Sequence, residues 1–210
     1  MPLEGSNDIT LLQFWLPQGQ LTIFNIYNDC IHQNSLTTIQ LFMQHHTASV
    51  LASESDRMMW CRDFNRHHPL WDKERNGHLL TAGASATAQP LIALLEDFNM
   101  VMLLLKGIPT LQSMVTKNWT RVDNIFAMHN TEHLVVACDT DPRQWGPGTD
   151  HVPVLTTLDL EILVAAAISH RNFRAVDWLK FHQVLMDQLD NIPGPHTCST
   201  SCSSKGQSAT

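Results

Sequence analysis

Two runs rich in apolar and β-branched residues stand near the start of the chain, Asp8 to Leu16 and Leu21 to Tyr27. Runs of this length and composition are typical of β-strands. The turn-forming residues Pro17, Gln18 and Gly19 separate them, and a short turn between two strands favours a hairpin. The chain is therefore expected to open with a pair of strands.

Three segments carry apolar residues at helical spacing. The first is expected to begin at Asn34 or Ser35, either of which can cap a helix. The second is expected to begin at Pro90, because proline is favoured in the first turn of a helix. The third, an amphipathic helix, is expected between Asn172 and Leu189.

Five further apolar segments predict strands. They are Arg57–Arg62, Val101–Leu105, Thr120–Met128, His133–Cys138 and Val152–Leu160. The first is expected to stop at Asp63, and the second is expected to be buried. The connections between the later strands are hairpin-like and too short for crossovers, so the order predicts a mixed α/β fold without a regular βαβ repeat.

The composition changes towards the C-terminus and predicts three parts. The first is a folded domain over residues 1–162, and the second is a helical segment over residues 163–191. The third, residues 192–210, is rich in Ser and Thr and has no periodic apolar residues. Such a composition is typical of a disordered tail.

Charge restricts the classes of function. The 210 residues are 43% hydrophobic and 16% charged, against about 25% charged in an average globular chain, which excludes a disordered polyelectrolyte. Thirteen Lys and Arg against twenty Asp and Glu give a net charge of −7. A protein of this charge is not held to nucleic acid by bulk attraction. Any contact with phosphate must therefore be local.

The sequence gives no sign of a membrane partner or of secretion. No apolar run approaches the roughly 20 residues of a membrane span, and the first residues lack the features of a secretory signal. The five cysteines are an odd number, which favours reduced thiols. An intracellular protein, nuclear or cytoplasmic, is expected.

Polar clusters stand at the ends of three predicted strands. Asp63 and Asn65 alternate along a segment expected to be extended, which would put both side chains on one face. Asp123 begins another cluster, and Asp150 with His151 forms the third. An imidazole can move protons near neutral pH. On spacing alone, however, a solvated loop histidine and an Asx-rich turn explain the same residues.

A second set of metal-binding residue types lies elsewhere. It comprises His67, His68, Asp72 and His78, together with His196, Cys198 and Cys202 in the tail. No pair has the spacing of a helical zinc site, Pro69 interrupts any helix, and the lone C-x3-C lacks a second pair. The phosphate-binding loop, the dinucleotide fingerprint and the serine nucleophile elbow are all missing from the sequence.

Four strings, taken in order, resemble the endonuclease/exonuclease/phosphatase family. They are N-I-Y-N at 25–28, D-F-N-R-H-H-P-L-W-D at 63–72, T-R-V-D-N-I-F at 120–126 and T-D-H-V-P-V at 149–154. Within that family the chain is most similar to the endonuclease domains of LINE-type (non-LTR) retrotransposons. The similarity extends over residues 8–189, and its last part resembles the helical segment that leads towards a reverse transcriptase.

The resemblance implies a four-layer α/β/β/α sandwich of two mixed sheets, like that of deoxyribonuclease I, with the site at one edge. It also implies DNA as the substrate class and hydrolysis of a phosphodiester by attack of water. In these terms Tyr27 would contact the phosphate. Asp63 would orient or deprotonate the water, and Asn65 would hydrogen-bond the scissile group.

The remaining implied roles belong to the second half of the chain. Asp123 would hold His151 in the correct tautomer, as carboxylates do for imidazoles. His151 would stabilise the pentacovalent oxyanion, and Asp150 would support the metal, usually Mg²⁺, or the water. In a full-length element the partner would be a reverse transcriptase domain.

Two departures from the family pattern alter these expectations. Arg62 stands where the family has a Gly before the aspartate, so crowding of the phosphate site is expected. The family's early strands, with an Asn and a metal-binding Glu, have no counterpart; Glu4 does not lie in such a strand. We therefore expect an N-terminally truncated domain with exposed sheet edges, too few anionic ligands for Mg²⁺ and weak or no activity.

Two other readings remain open at this point. One is a retroelement remnant or interaction module that keeps the sandwich fold without catalysis. The other is a histidine-rich metal-binding protein. The second of these would use His67, His68 and the tail cysteines.

Overall fold

The computed structural model describes residue 3, residues 6–161 and residues 177–189. The chain divides into two compact units, Met1–Val164 and Ala165–Thr210. The predicted tail at 192–210, with Cys198 and Cys202, lies outside the described residues, as does Glu4. Among the residues described, no helix has the length and apolar character needed to cross a membrane.

A five-stranded mixed sheet forms the centre of the first unit. Its strands are β1 (Ile9–Trp15), β2 (Gln20–Tyr27), β3 (Arg57–Asp63), β4 (Met100–Met102) and β7 (Asp123–Met128). The order across the sheet is β1-β2-β3-β7-β4. β2 and β3 run parallel, and the other neighbours are antiparallel.

The described part of the same unit contains two α-helices and four further strands. They are α1 (Asn34–Val50), α2 (Ala82–Asp97), β5 (Leu111–Gln112), β6 (Trp119–Thr120), β8 (Val135–Thr140) and β9 (Val154–Leu158). β5 pairs with β6, and β8 pairs with β9, in two small antiparallel sheets. In the second unit, α3 (Trp178–Leu189) lies within the predicted 172–189 helix.

Apolar residues cover both faces of the central sheet. Phe24, Trp60 and Phe126 are buried in one cluster with residues of α1 and α2. Leu21, Met59 and Ile125 belong to a second cluster, against which residues of β8 and β9 pack. The described residues thus form a helical layer, the central sheet and a small second sheet, which confirms the mixed α/β fold class.

Most predicted elements are present, and the hairpin is confirmed by the pairing of β1 with β2. The strands predicted at 133–138 and 152–160 are present as β8 and β9 with shifted ends.

The predicted start of α1 at Asn34 is confirmed, whereas its predicted capping residue and the predicted start of α2 were wrong. α1 has Gln33 at its N-cap, without a side-chain cap, because the Ser35 hydroxyl donates instead to the Tyr27 carbonyl at 2.7 Å. α2 begins at Ala82, where the Thr81 hydroxyl accepts from the Ala84 amide, and Pro90 lies inside the helix. The Thr81 cap and the buried face of the helix outweigh the hydrogen bond that Pro90 cannot make.

Two predicted strands are shorter than expected. The segment expected to be a buried strand at 101–105 is a half-buried edge strand, and Leu105 is 71% exposed. The strand predicted at 120–128 is broken between β6 and β7. In the break, the backbone amides of Arg121 and Val122 donate to the side chains of Asp72 and Thr110 instead of to a neighbouring strand.

Candidate active site

Three of the expected site residues lie side by side at one end of the central sheet. Tyr27 pairs with Asp63 across β2 and β3, and Asp63 pairs with Asp123 across β3 and β7. Asp123 is two residues before Ile125, so it shares the sheet face that is turned away from the helices. Asp63 and Asp123 are buried, whereas Tyr27 is 39% exposed.

Asn65 contacts Asp63 through a turn. The expected extended segment was wrong, because β3 ends at Asp63 and Asn65 has a positive φ of 48°. The Asn65 backbone amide donates to Asp63 Oδ1 at 2.9 Å. Its side-chain amide donates to Asp63 Oδ2 at 3.0 Å and to the Asn28 carbonyl at 2.8 Å. The backbone N–H and one side-chain N–H of Asn65 thus orient Asp63, and the other side-chain N–H bonds to the Asn28 carbonyl.

His151 joins the cluster from a loop far along the chain. Its Nδ1 lies 2.9 Å from Asp123 Oδ2, and its Nε2 lies 4.0 Å from Asp63 Oδ2. Asp150 Oδ1 is 3.9 Å from the same Nε2. The expected pairing of Asp123 with His151 is therefore present, and we call Asp63, Asp123, Asp150 and His151 the site cluster.

A short segment that the sequence analysis did not identify brings the two halves of the site cluster together. The Thr110 hydroxyl accepts from the backbone amide of Asp123 at 3.1 Å, and the Thr110 carbonyl accepts from the amide of Val152 at 2.7 Å. Leu111 pairs with His151 in an isolated bridge. Residues 110–111 thus hold Asp123 and the histidine loop in one register.

The electrostatics of the site cluster favour proton binding. The hydrogen bond that the His151 ring donates to Asp123 raises the pKa of His151 against the opposing effect of burial, and the negative charges of Asp123, Asp63 and Asp150 add to the rise. Burial raises the pKa of Asp63, as does the negative charge of Asp123, although hydrogen bonds from Asn65 oppose both. An aspartate with a raised pKa is a stronger base, and a histidine with a raised pKa is more fully protonated near neutral pH.

The same residues can hold a metal ion. Ligand atoms of Asp63, Asp123 and His151 all lie within 4.8 Å of one another. Within the described part of the chain, this is the only group of three or more such side chains close enough for that purpose. His67 instead pairs with Asp72, at 3.4 Å, so the described residues offer no histidine-rich site.

A cavity of about 440 Å³ opens beside the site cluster, and Arg62 lines it together with Asp123 and His151. Arg62 has a φ of 101° and an exposed side chain. A non-glycine residue in such a backbone conformation costs roughly 1–3 kcal/mol. The expected replacement of a family glycine thus falls at a position where the backbone favours glycine.

Arg66 joins the two turns that follow β2 and β3, next to the site cluster. It is 2% exposed, and its guanidinium donates to the carbonyls of Asp29, His32 and Asn65 at 2.6–3.0 Å. The Trp71 indole in turn donates to the Arg66 carbonyl at 2.9 Å. These bonds join the turn after β2 to the turn after β3, where Asn65 lies.

Arg121 and Asp72 make a second buried contact between distant segments. The Arg121 guanidinium donates to the carbonyls of Leu104 and Leu105, and the Arg121 backbone amide donates to Asp72 at 3.2 Å. Burial lowers the pKa of Arg121 to about 10, so the side chain is still charged at neutral pH. We call Arg66, Asp72 and Arg121 the support cluster.

The family model described as endonuclease-reverse transcriptase matches residues 21–155, which include every member of the site cluster. The chain belongs to the endonuclease-reverse transcriptase family. This confirms the resemblance to LINE-type endonuclease domains. A search of curated proteins found no match.

Solved structures show the same fold as this endonuclease-reverse transcriptase family member. The endonuclease domain of TRAS1, a telomere-specific non-LTR retrotransposon, is 14% identical with a TM-score of 0.57, over 74% of this chain and 65% of that one. The AP endonuclease LMAP from Leishmania major is 14% identical with a TM-score of 0.55, over 70% and 53%. The APE2 catalytic domain from Xenopus laevis is 18% identical with a TM-score of 0.50, over 76% and 58%.

These likenesses confirm the deoxyribonuclease I-like endonuclease fold. The chain spans less than two thirds of the length of each of the three structures.

Proposed function

We propose that this chain is a divalent-metal-dependent phosphodiesterase that cleaves DNA as an endonuclease. The observation that carries the proposal is the assembly of the site cluster, in which Asp123, His151 and Asp63 converge from three distant segments. The solved structures of similar fold include DNA-processing nucleases, which supports DNA as the substrate class.

Asp63 serves as the base in this proposal. Its raised pKa lets it take a proton from the attacking water, and Asn65 holds its carboxylate in place. As the water oxygen bonds to phosphorus, the bond from phosphorus to the opposite, leaving oxygen breaks. A contact of Asn65 with the scissile group would require one of its present hydrogen bonds to open.

His151 stabilises the negative charge that develops on the phosphate oxygens. Asp123 fixes the proton on Nδ1 and the orientation of the ring. The raised pKa favours the protonated ring, in which Nε2 can donate a hydrogen bond to the oxyanion. Tyr27 is exposed at the end of β2 beside Asp63, where its hydroxyl can contact the phosphate.

The donor set fits a hard divalent cation, and Mg²⁺ is the ion we propose. Mg²⁺ is usually bound by one or two protein carboxylates, with waters and substrate oxygens completing its shell. Asp150 would hold it, because Asp123 is already paired with His151 and Asp63 serves as the base. A cation bound there would neutralise charge on the phosphate.

The reading as a non-catalytic remnant is the competing hypothesis. A remnant without activity does not need its site residues to lie close together, whereas the ligand atoms of Asp63, Asp123 and His151 lie within 4.8 Å of one another. Weak activity remains our prediction for the isolated chain, since the pairing of Asp123 with His151 leaves few carboxylates to hold Mg²⁺. Association with a reverse transcriptase domain in a longer element is likewise proposed from the family.

Nicking of supercoiled plasmid in Mg²⁺ tests the proposal. We expect slow nicking that EDTA abolishes, and a loss of about 100-fold or more in His151→Ala, because one oxyanion-stabilising group is removed. His45→Ala is the matched control, since His45 is exposed on α1. Absence of nicking by the wild-type chain, or equal nicking by His151→Ala, would refute catalysis and favour the remnant.

A further inference from the structure

Arg62 is the one permanently charged cation among the residues that line the cavity beside the site cluster. The other lining residues are Asn25, Cys61, Asp123, Ile125, Thr149, His151, Val152, Pro153 and Val154. Within the described part of the chain, the Arg62 guanidinium forms no hydrogen bond and no ion pair. Its charge is therefore available to a ligand in this cavity.

The backbone at Arg62 indicates that the side chain has a use. A φ of 101° is disfavoured for any residue with a Cβ, and glycine would remove the strain. Strained residues of this kind cluster at functional sites, where the strain accompanies a binding or catalytic role. Arg62 lines the same cavity as Asp123 and His151, so it lies beside the proposed reacting centre.

The charge balance of the chain gives such a cation particular weight. The net charge is −7, and the site cluster itself carries three carboxylates around a single imidazole. A nucleic acid strand approaching this end of the sheet meets repulsion unless a local cation offsets it. A guanidinium presents paired donors that match two oxygens of one phosphate.

We propose that Arg62 binds a phosphate adjacent to the scissile one on the bound DNA strand. The inference rests on the proposed function, since it takes a nucleic acid strand as the ligand. The proposed contact is to the sugar-phosphate backbone of the DNA, so it gives affinity without preference for a base sequence. Arg62 is thus a binding residue that distinguishes a strand with several phosphates from a substrate with only one.

Arg62→Gly is the decisive variant, because it removes the cation and relieves the positive φ. We expect its melting temperature to equal or exceed that of the wild type. Fluorescence anisotropy with labelled duplex DNA in EDTA should show affinity weaker by about tenfold. The slope of log affinity against log salt, between about 50 and 200 mM, should fall by about 1. Arg62→Lys keeps the charge and should retain the wild-type slope.

Lys117→Gly is the matched control, because Lys117 is an exposed cation at a positive φ of 59° outside the cavity. It should leave both affinity and slope near the wild-type values. An equal loss in the two glycine variants would mean that Arg62 contributes only bulk charge, and would overturn the inference. An unchanged slope in Arg62→Gly would overturn it as well.

Cleavage of two substrates locates the phosphate. Arg62→Gly should lower kcat/KM on duplex DNA by about tenfold and leave it unchanged on the p-nitrophenyl ester of thymidine monophosphate, which has one phosphate. Equal losses on both would place Arg62 on the scissile group, against the proposal. The binding assay needs no catalysis, so a wild-type chain that binds through Arg62 but does not cleave refutes the proposed function alone.

Discussion

The site cluster and the support cluster both place charged side chains in the interior of one unit, but they balance charge in opposite ways. In the support cluster, the guanidinium groups of Arg66 and Arg121 donate to carbonyls of neighbouring loops. In the site cluster, Asp63 and Asp123 lie close enough for the charge of Asp123 to raise the Asp63 pKa. The terminal guanidinium nitrogens of Arg66 and Arg121 thus find acceptors within the chain, although both Nε atoms and Asp72 Oδ2 lack a hydrogen-bond partner. The site cluster instead places two buried carboxylates next to each other.

This difference separates buried charge that holds a fold from buried charge that binds a ligand. The backbone carbonyls bonded to Arg66 and Arg121 would lose those donors if either side chain were removed. Two neighbouring carboxylates, in contrast, are a cost to the folded state that a bound cation can repay. Four predictions test the comparison, from the largest expected effect to the smallest.

Arg121→Met should cause the largest loss of stability. It leaves the Leu104 and Leu105 carbonyls without their donors and removes a buried positive charge from beside Asp72. We expect the free energy of unfolding to fall by about 3–5 kcal/mol. Urea denaturation followed by circular dichroism measures it. Arg143→Met, which removes an exposed arginine, should leave the urea midpoint near the wild-type value; equal shifts would show that burial of Arg121 is irrelevant.

Asp123→Asn should impair cleavage with little effect on folding. An amide in place of the carboxylate no longer fixes the Nδ1 proton of His151, and it removes the largest cause of the raised His151 pKa. We expect kcat to fall by about 100-fold, or about 2.7 kcal/mol of transition-state free energy. NMR titration should show a lower His151 pKa.

Asp139→Asn is the control for this variant, since Asp139 is exposed on β8. An Asp123→Asn variant with an unaltered His151 pKa and wild-type kcat would remove Asp123 from the mechanism.

Thr110→Val should reduce stability by a smaller amount. The Thr110 hydroxyl is fully buried and accepts from the amides of Val122 and Asp123 at 3.3 and 3.1 Å. Valine keeps the shape but leaves both amides unpaired, at a cost of about 1–2 kcal/mol. Thr87→Val, at an exposed position of α2, is the comparison. A Thr110→Val protein as stable as the wild type would show that this segment does not hold the site together.

The dependence of stability on pH should be the smallest effect. The pKa of His151 is raised above 6.5, so the folded chain binds this proton more tightly than the unfolded chain. Its contribution is complete below pH 6.5 and is lost as the pH rises through the folded-state value. The stability difference between wild type and His151→Gln should therefore decrease above pH 6.5, whereas His45→Gln should show no such trend. A stability difference that increases with pH would contradict the predicted upward shift of the His151 pKa.

The local pattern of apolar and turn-forming residues was sufficient to predict the β1–β2 hairpin and β3. Their residues form strands because of composition, and Gly19 sits in the turn with a φ of 88°, where a Cβ would lie 2.6 Å from Asp56 Oδ1. The resemblance identified Tyr27, Asp63, Asp123 and His151, and the structure brings them together. Their catalytic roles remain predictions.

Long-range hydrogen bonds explain what the sequence analysis missed. Thr110 lies in a segment without periodicity, and its importance comes from partners 12 and 13 positions away. Arg66 and Arg121 are residues of a type that is rarely buried, so sequence alone favours the surface for both. Asn65 was placed by strand alternation, whereas a positive φ at that residue forms the contact with Asp63.

Asp63→Asn tests the central claim most directly, because activity and stability should change in opposite directions. The substitution removes the base and also removes a carboxylate that burial and Asp123 make costly. Single-turnover cleavage of labelled duplex DNA in Mg²⁺ should fall by about 100-fold or more, while the melting temperature stays equal or rises. Cleavage at the wild-type rate by a folded Asp63→Asn protein would contradict the assignment of this cluster as the hydrolytic site.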